Sequence, residues 1–70
     1  MLSEQRHLKS MGKRLKRIRK QKGITQEALA EAVGVHSTYV SMVERGVRNP
    51  TFKTMDKIAR ALKVDIRELF

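Results

Sequence analysis

Polar side chains that could do chemistry are concentrated between Gln26 and Arg45, in the run Q-E-A-L-A-E-A-V-G-V-H-S-T-Y-V-S-M-V-E-R. His36 stands beside Ser37 and near Ser41, and these are residue types used in nucleophilic catalysis. Adjacent residues of a helix point in different directions, however, and no acid is placed in sequence to orient the histidine. With His7 and His36 as the only histidines and no cysteine, a zinc site is not expected either. We therefore expect a hydrogen-bonding surface, and no catalysis, metal or cofactor.

The same run predicts two short helices joined by a tight turn. Its apolar residues recur at helical spacing on both sides of Gly34, which can adopt the positive φ that ends the first helix. This spacing is typical of a helix-turn-helix, which places its second helix, here about residues 37–45, in the major groove of DNA. The residues predicted to point inward are Leu29, Ala30, Val33, Val35, Val40 and Val43.

The charge distribution favours a nucleic-acid partner. The 70 residues include 16 Lys and Arg against 7 Asp and Glu, a formal net charge of +9, and residues 1–23 hold nine of the basic residues with a single acid. The basic segment lacks the aromatic residues and broad apolar face of a membrane-surface helix. We expect Lys13 and Arg14 to contact backbone phosphates. No apolar run approaches membrane-spanning length, and a signal-peptide centre is missing, so the expected location is the cytoplasm.

Three further helices and no strand are predicted around the helix-turn-helix. A basic helix covers about residues 8–22, but Gly12 should weaken its start, so residues 1–11 are expected to form a flexible or partly helical extension. Thr25 and Thr51 are placed to cap the second and fourth helices, and His36, with Ser37 sharing the role, to cap the third. D-I-R-E at residues 65–68 is a capping sequence that begins a last short helix. The apolar face of the fourth helix comprises Phe52, Met55, Ile58, Ala59 and Leu62. The fold class is therefore all-α, with one compact five-helix domain at residues 12–70.

Four pieces of the sequence carry a resemblance to a known family: R-I-R-K-Q-K-G-I-T-Q-E-A-L-A, Y-V-S-M-V-E-R-G, R-N-P-T and I-A-R-A-L-K-V-D. Together they resemble the Cro/repressor-type helix-turn-helix domain of the XRE family of transcription regulators, over about Gly12 to Phe70. The run H-S-T-Y-V-S-M-V-E-R-G also looks like the controller proteins of restriction-modification systems. The resemblance implies a lambda-repressor-like fold and a homodimer that reads two operator half-sites in double-stranded DNA.

The resemblance also implies roles for individual residues. The positions that match phosphate contacts are Gln26, Arg48 and Asn49. Those that match base-reading positions are Ser37, Thr38 and Met42. Arg19 and Glu44 match an ion pair between the first helix and the recognition helix. Compared with the controller-like pattern, Ser37 stands where Arg is frequent, and Met42 offers no hydrogen bond, so DNA shape is expected to contribute to selectivity.

Helical spacing adds residues to this site. Ser41 and Arg45 point away from the predicted packed face, so we expect Ser41 to reach bases and Arg45 the DNA backbone. Tyr39 is expected to contact either a base edge or the DNA backbone. Lys63 stands where the family commonly has Gly, which is costly if this position requires a positive φ.

The apolar residues at the end of the sequence predict a dimer contact, formed by Val64, Ile66, Leu69 and Phe70. Two other functions stay open at this point. The chain could be the DNA-binding part of a longer regulator that senses a ligand, or a protein-binding module such as an antitoxin or a coactivator. The sequence indicates no small-molecule ligand and no membrane partner.

Overall fold

The computed structural model describes the backbone of residues 2–70 and the side chains of residues 6–70. Four α-helices run in the order α1 (Leu2–Gln21), α2 (Gln26–Val33), α3 (Ser37–Glu44) and α4 (Phe52–Leu62), and a 3₁₀ helix follows at Ile66–Leu69. Residues 2–70 contain no strand, and none of their helices is long and apolar enough to cross a membrane. The prediction of an all-helical fold is confirmed.

The last predicted helix is a single 3₁₀ turn of four residues. Asp65 caps this turn, since its side chain accepts the N–H of Arg67 at 2.8 Å and its own N–H donates to Glu68 at 3.1 Å. The side-chain hydrogen bond from Arg67 is the main cause that lowers the pKa of the Asp65 carboxyl to about 2. This turn buries Leu69 completely and packs Ile66 partly against the core.

The first helix begins earlier than the sequence suggests. α1 starts at Leu2 and continues through Gly12 without a break, whereas the sequence predicts a weak start up to that glycine. Gly12 is buried against the end of α3, where a Cβ atom would lie 2.5 Å from the carbonyl oxygens of both Val43 and Glu44. The glycine therefore serves close packing of two helices. Met1 and the side chains of residues 2–5 lie outside the described residues.

One apolar stripe from each helix, together with the 3₁₀ helix, forms the core. Its members are Met11, Leu15, Ile18, Leu29, Ala30, Val33, Val40, Val43, Met55, Ile58, Ala59, Leu62 and Leu69. Phe52 is an exception to the predicted α4 face, because it is 72% exposed. It is the first residue of α4 and lies off the centre of the stripe that Met55, Ile58 and Leu62 form.

The helix ends use the predicted caps. Thr25 accepts the N–H of Ala28 at 3.0 Å, and Thr51 accepts that of Thr54 at 3.1 Å. Gly34 ends α2 with a φ of 85°, and its N–H donates to the carbonyl oxygen of Ala30 at 2.8 Å. Lys63 ends α4 in the same left-handed region, with a φ of 59°. The position therefore does require a positive φ, and a residue with a Cβ adopts it here at some cost in energy.

Candidate nucleic-acid interface

The predicted base-contacting residues lie on one side of α3. Val40 and Val43 are buried in the core, whereas Thr38 is exposed and Ser37, Ser41 and Met42 are half-buried. At about 100° per residue, these four side chains and Arg45 share a face about 140° wide. The face is polar except for Met42, and only Arg45, at its end, carries a charge. It therefore presents hydroxyl groups and one apolar side chain to a partner.

Tyr39 lies apart from this face. Its ring is half-buried against the core, and the guanidinium carbon of Arg48 lies 5.3 Å from the ring centroid. This distance is typical of a cation–π contact. The structure thus brings together one predicted base contact and one predicted phosphate contact from the loop that follows α3. The contact orients Arg48 beside the recognition helix.

The amino end of α3 is capped by a histidine. His36 Nδ1 accepts the N–H of Thr38 at 3.1 Å, while Ser37 is the first residue of the helix and does not act as the cap. A neutral imidazole that accepts through Nδ1 carries its proton on Nε2. The exposed ring therefore has a donor nitrogen beside Thr38. The sequence predicts His36 as a cap but not as a donor to DNA, although its position at the start of the recognition helix is a signal for that role.

A buried polar cluster joins three helices at the other end of α3. Arg19 Nε donates to Glu44 Oε2 at 2.6 Å, and Arg19 Nη2 donates to Glu44 Oε1 at 3.1 Å. Gln26 Nε2 also donates to Glu44 Oε1, at 3.0 Å, and Arg19 Nη1 donates to the carbonyl oxygen of Ile24 at 2.7 Å. The structure thus contains the ion pair that the family resemblance implies. It also ties the first residue of α2 to the last residue of α3.

The geometry of Gln26 suits an anion. Its side-chain amide has two hydrogens, and Glu44 accepts one of them. The second remains available at the amino end of α2, where backbone N–H groups and the helix dipole favour a negative charge. The carboxylate of Glu44 holds this amide in place. The structure therefore supports an anion contact at Gln26 with a group that is already oriented.

The remaining predicted phosphate contacts lie on two segments. Arg45, Arg48 and Asn49 are exposed at the end of α3 and in the following loop. On α1, Lys13 is exposed, but Arg14 is half-buried and lies about 100° around the helix from it. The two residues of α1 therefore do not point at the same partner surface.

The predicted dimer contact is only partly exposed. Leu69 is completely buried in the core of its own chain, so its prediction as an interface residue is wrong. The cap at Asp65 turns the chain back, so that the 3₁₀ helix packs on α1 and α4 and inserts this side chain between them. Val64 and Ile66 are half-buried against the core, and Phe70 is 57% exposed. Phe70 is thus the main apolar group that this end of the molecule offers to a partner.

Comparisons with known proteins agree with this geometry. Residues 15–69 match the family model HTH_3, described as helix-turn-helix. An uncharacterised HTH-type transcriptional regulator, y4dJ of Sinorhizobium fredii, is 43% identical over 61 residues, which cover 87% of this chain and 79% of that protein. The crystal structure of the restriction-modification controller protein C.AhdI of Aeromonas hydrophila superimposes with a TM-score of 0.87 at 44% identity, covering 90% of this chain and 96% of that chain.

A third relative is seen bound to DNA. The structure of SinR, a master regulator for biofilm formation, in complex with DNA superimposes with a TM-score of 0.79 at 37% identity, covering 84% of this chain and 95% of that chain. The full SinR protein of Bacillus subtilis is longer, since the 60 aligned residues span 54% of it. The likeness therefore concerns the helix-turn-helix part of that regulator.

Proposed function

Because the chain belongs to the helix-turn-helix family HTH_3, we propose that it regulates transcription by binding specific DNA sequences with α3 in the major groove. The family resemblance drawn from the sequence is confirmed by the transcription regulators and controller proteins that the chain matches. The observation that carries the proposal is the partly exposed hydroxyl face of α3, which the cluster of Arg19, Glu44 and Gln26 fixes relative to α1 and α2.

Base reading belongs to the face of α3. The hydroxyl groups of Ser37, Thr38 and Ser41 can donate to or accept from base edges, and Met42 can pack on a thymine methyl group. Ser and Thr discriminate weakly among bases, so the sequence-dependent shape of DNA contributes to selectivity. Tyr39 lies apart from this face, and its ring holds Arg48, which binds the neighbouring DNA backbone.

Phosphate binding belongs to groups that border α3. Gln26 binds a phosphate at the amino end of α2, and Arg45, Arg48 and Asn49 bind others at the end of α3 and in the next loop. Lys13 adds a contact from α1. These groups supply attraction and register, whereas the hydroxyl face supplies selectivity. This division follows from the charges, because the base-reading side chains of α3 are all uncharged.

The division predicts that two substitutions have different effects. Thr38→Ala should weaken binding to the preferred duplex by about 0.5–1.5 kcal/mol and change nonspecific binding little, because it removes one hydrogen bond to a base. Lys13→Glu should weaken binding to preferred and random duplexes alike, because phosphates are the same in both. The preferred duplex is first obtained by selection from random sequences, and fluorescence anisotropy against salt then gives both affinities.

The wild type is the control that tests the function itself. Several phosphate contacts predict a fall in its affinity of roughly 10³ or more between 50 and 200 mM salt. A shallow dependence on salt, with no preferred sequence, would contradict DNA regulation and favour a protein-binding module.

The regulator acts as a homodimer, with two half-sites about one helical turn, roughly 34 Å, apart. Phe70 is the centre of the proposed contact, with the half-buried Val64 and Ile66 beside it. Phe70→Ala should shift the protein from dimer to monomer at micromolar concentration in analytical sedimentation, because it removes the largest exposed apolar side chain of this surface. Phe52→Ala, a matched change at the exposed start of α4, should leave the dimer intact. A wild-type protein that sediments as a monomer would contradict this interface.

A further inference from the structure

Five basic side chains form a line along α1. Arg6, Lys9, Lys13, Lys16 and Lys20 are spaced three or four residues apart, and all five are exposed. Residues at this spacing lie on one side of a helix. At 1.5 Å per residue, the line is about 21 Å long. We refer to these five residues as the α1 stripe.

The stripe lies on the side of α1 that borders the recognition helix. Gly12 and Arg19 are the residues of α1 that face α3, through the close approach to Val43 and Glu44 and through the ion pair. At about 100° per residue, the five residues of the stripe lie about 40–120° around the helix from Gly12, all in the same direction, whereas Arg14 lies about 160° away in the other direction. The stripe therefore borders α3 through Lys9 and Lys16 and turns towards solvent at Lys13, and Arg14 is not part of it.

One end of the stripe touches the loop that follows α3. A Cβ atom at Gly46 would lie 2.7 Å from the Cα of Lys9 and 2.8 Å from its Cγ, so the two residues are in close contact. Gly46 directly follows Arg45 and lies two residues before Arg48. Lys9, the second residue of the stripe, thus lies beside the segment that carries two proposed phosphate contacts, and the stripe continues along α1 from there.

The stripe carries an electrostatic cost that folding does not explain. Like charges at positions i and i+4 of a helix destabilise it by about 0.2–0.5 kcal/mol per pair. Among residues 6–70, the ion pairs are Arg19–Glu44, Arg60–Asp56 and Arg67–Asp65, and none of them involves the stripe. A solvated helix face commonly mixes both signs of charge. A face of one sign, 21 Å or so in length, suits a polyanion with regularly spaced charges.

Three residues of the stripe lie outside the family match, which starts at residue 15. Arg6, Lys9 and Lys13 are on the part of α1 that precedes it. These three residues of the stripe therefore precede the part of α1 that the helix-turn-helix family model describes.

We propose that the α1 stripe binds the phosphodiester backbone of duplex DNA that flanks the bases read by α3. The contact continues from Arg45 and Arg48 along α1 and lengthens the DNA segment that each protomer covers. The stripe adds affinity without sequence preference, because all its side chains bind phosphates, which are the same at every base pair. This inference rests on the proposed function.

The test compares two double variants of equal charge. Lys9→Gln with Lys13→Gln removes two of the five charges of the stripe and keeps the Cβ and Cγ atoms of residue 9 that pack at Gly46. Lys57→Gln with Lys63→Gln removes one exposed charge on α4 and one at its carboxyl end, and serves as the control. Each lost phosphate contact lowers the slope of log affinity against log salt by about 0.9. The slope of the stripe variant should therefore be about 1.8 smaller than that of wild type. The ratio of its affinity at 50 mM salt to its affinity at 200 mM salt should be roughly tenfold smaller than the same ratio for wild type. The control slope should stay within a few tenths of wild type.

Duplex length provides a second readout that a purely structural role would not change. One duplex ends at the bases selected by α3, and the other adds about ten base pairs, or one helical turn, on either side. The wild type should bind the longer duplex more tightly, and this preference should be smaller in the stripe variant, which keeps three of the five charges. Thermal unfolding should show that the stripe variant is at least as stable as wild type, because neutralisation relieves repulsion.

The outcomes separate the two proposals. If the wild type prefers its selected duplex but the stripe and control variants share the same slope and length dependence, the stripe proposal is overturned and the proposed function stands. If the wild type shows no preferred duplex, the proposed function fails, and the stripe proposal fails with it.

Discussion

Glu44→Gln should lower the free energy of unfolding by about 3–5 kcal/mol, because it leaves the guanidinium of Arg19 buried without a charged partner. Glu44 and Arg19 are only 6% and 7% exposed. Glutamine fits the space, but its amide group would place hydrogens towards the donors of Arg19 or Gln26, which both now donate to the carboxylate. The loss should therefore exceed that of an ordinary hydrogen bond. Urea unfolding followed by circular dichroism measures it.

Two controls identify the cause of this loss. Asp56→Asn breaks the pair with Arg60, whose side chain is 81% exposed, and should cost about 0.5 kcal/mol or less. The double variant Arg19→Met with Glu44→Leu should recover much of the stability lost in Glu44→Gln, because it removes both charges and fills a similar volume. If Glu44→Gln and Asp56→Asn lowered the free energy of unfolding equally, the ion pair between Arg19 and Glu44 would not be buried in solution.

The same cluster links stability to DNA binding. In the double variant Arg19→Met with Glu44→Leu, the side chain of Gln26 loses the carboxylate that accepts its hydrogen bond. Its amide is then no longer oriented at the amino end of α2. We expect the double variant to fold but to bind its preferred duplex more weakly. The pair is then mainly a positional constraint, which places α2 and α3 for recognition.

Gly12→Ala should destabilise the protein by roughly 2–3 kcal/mol or more, although alanine is the better helix former by about 1 kcal/mol. The added Cβ would lie 2.5 Å from two backbone carbonyl oxygens of α3. Backbone atoms cannot move aside as a flexible side chain can, so α1 and α3 must separate. Urea unfolding again measures the change, and backbone chemical shifts of Val43 and Glu44 should report the displacement.

Ser10→Ala is the matched control for this prediction. Ser10 is exposed on the same helix, two residues away, so alanine there should leave stability unchanged or raise it by a few tenths of a kcal/mol. The two changes should therefore have opposite signs. An increase in stability for both would contradict the close approach of α1 to α3.

Features that depend on neighbours along the chain were predictable. The 3.6-residue spacing of apolar side chains identified α2, α3 and α4 and most of the core, and Thr25, Thr51 and Asp65 were recognisable as caps. The positive φ at Gly34 follows from the same reasoning. These features lie within one helix or one turn, where backbone geometry alone relates residue spacing to direction.

Other features needed the packed structure. The sequence could not show that Leu69 turns into its own core, that Phe52 faces outwards, or that Gly12 is a contact residue within a continuous helix. Each of these features depends on where a segment distant in the sequence lies in space. The spacing of residues along one helix does not give that position. The same holds for the side of α1 that borders α3.

The amino-acid sequence by itself determined the helix-turn-helix between Gln26 and Arg45, the basic first helix and the class of partner. Local periodicity and net charge are sufficient for these. Only the tertiary structure decided how the site is assembled, with Gln26 held by Glu44 and Arg48 placed over Tyr39. The physical reason is that these contacts join residues 9 to 18 positions apart, and only packing of the core brings them within reach.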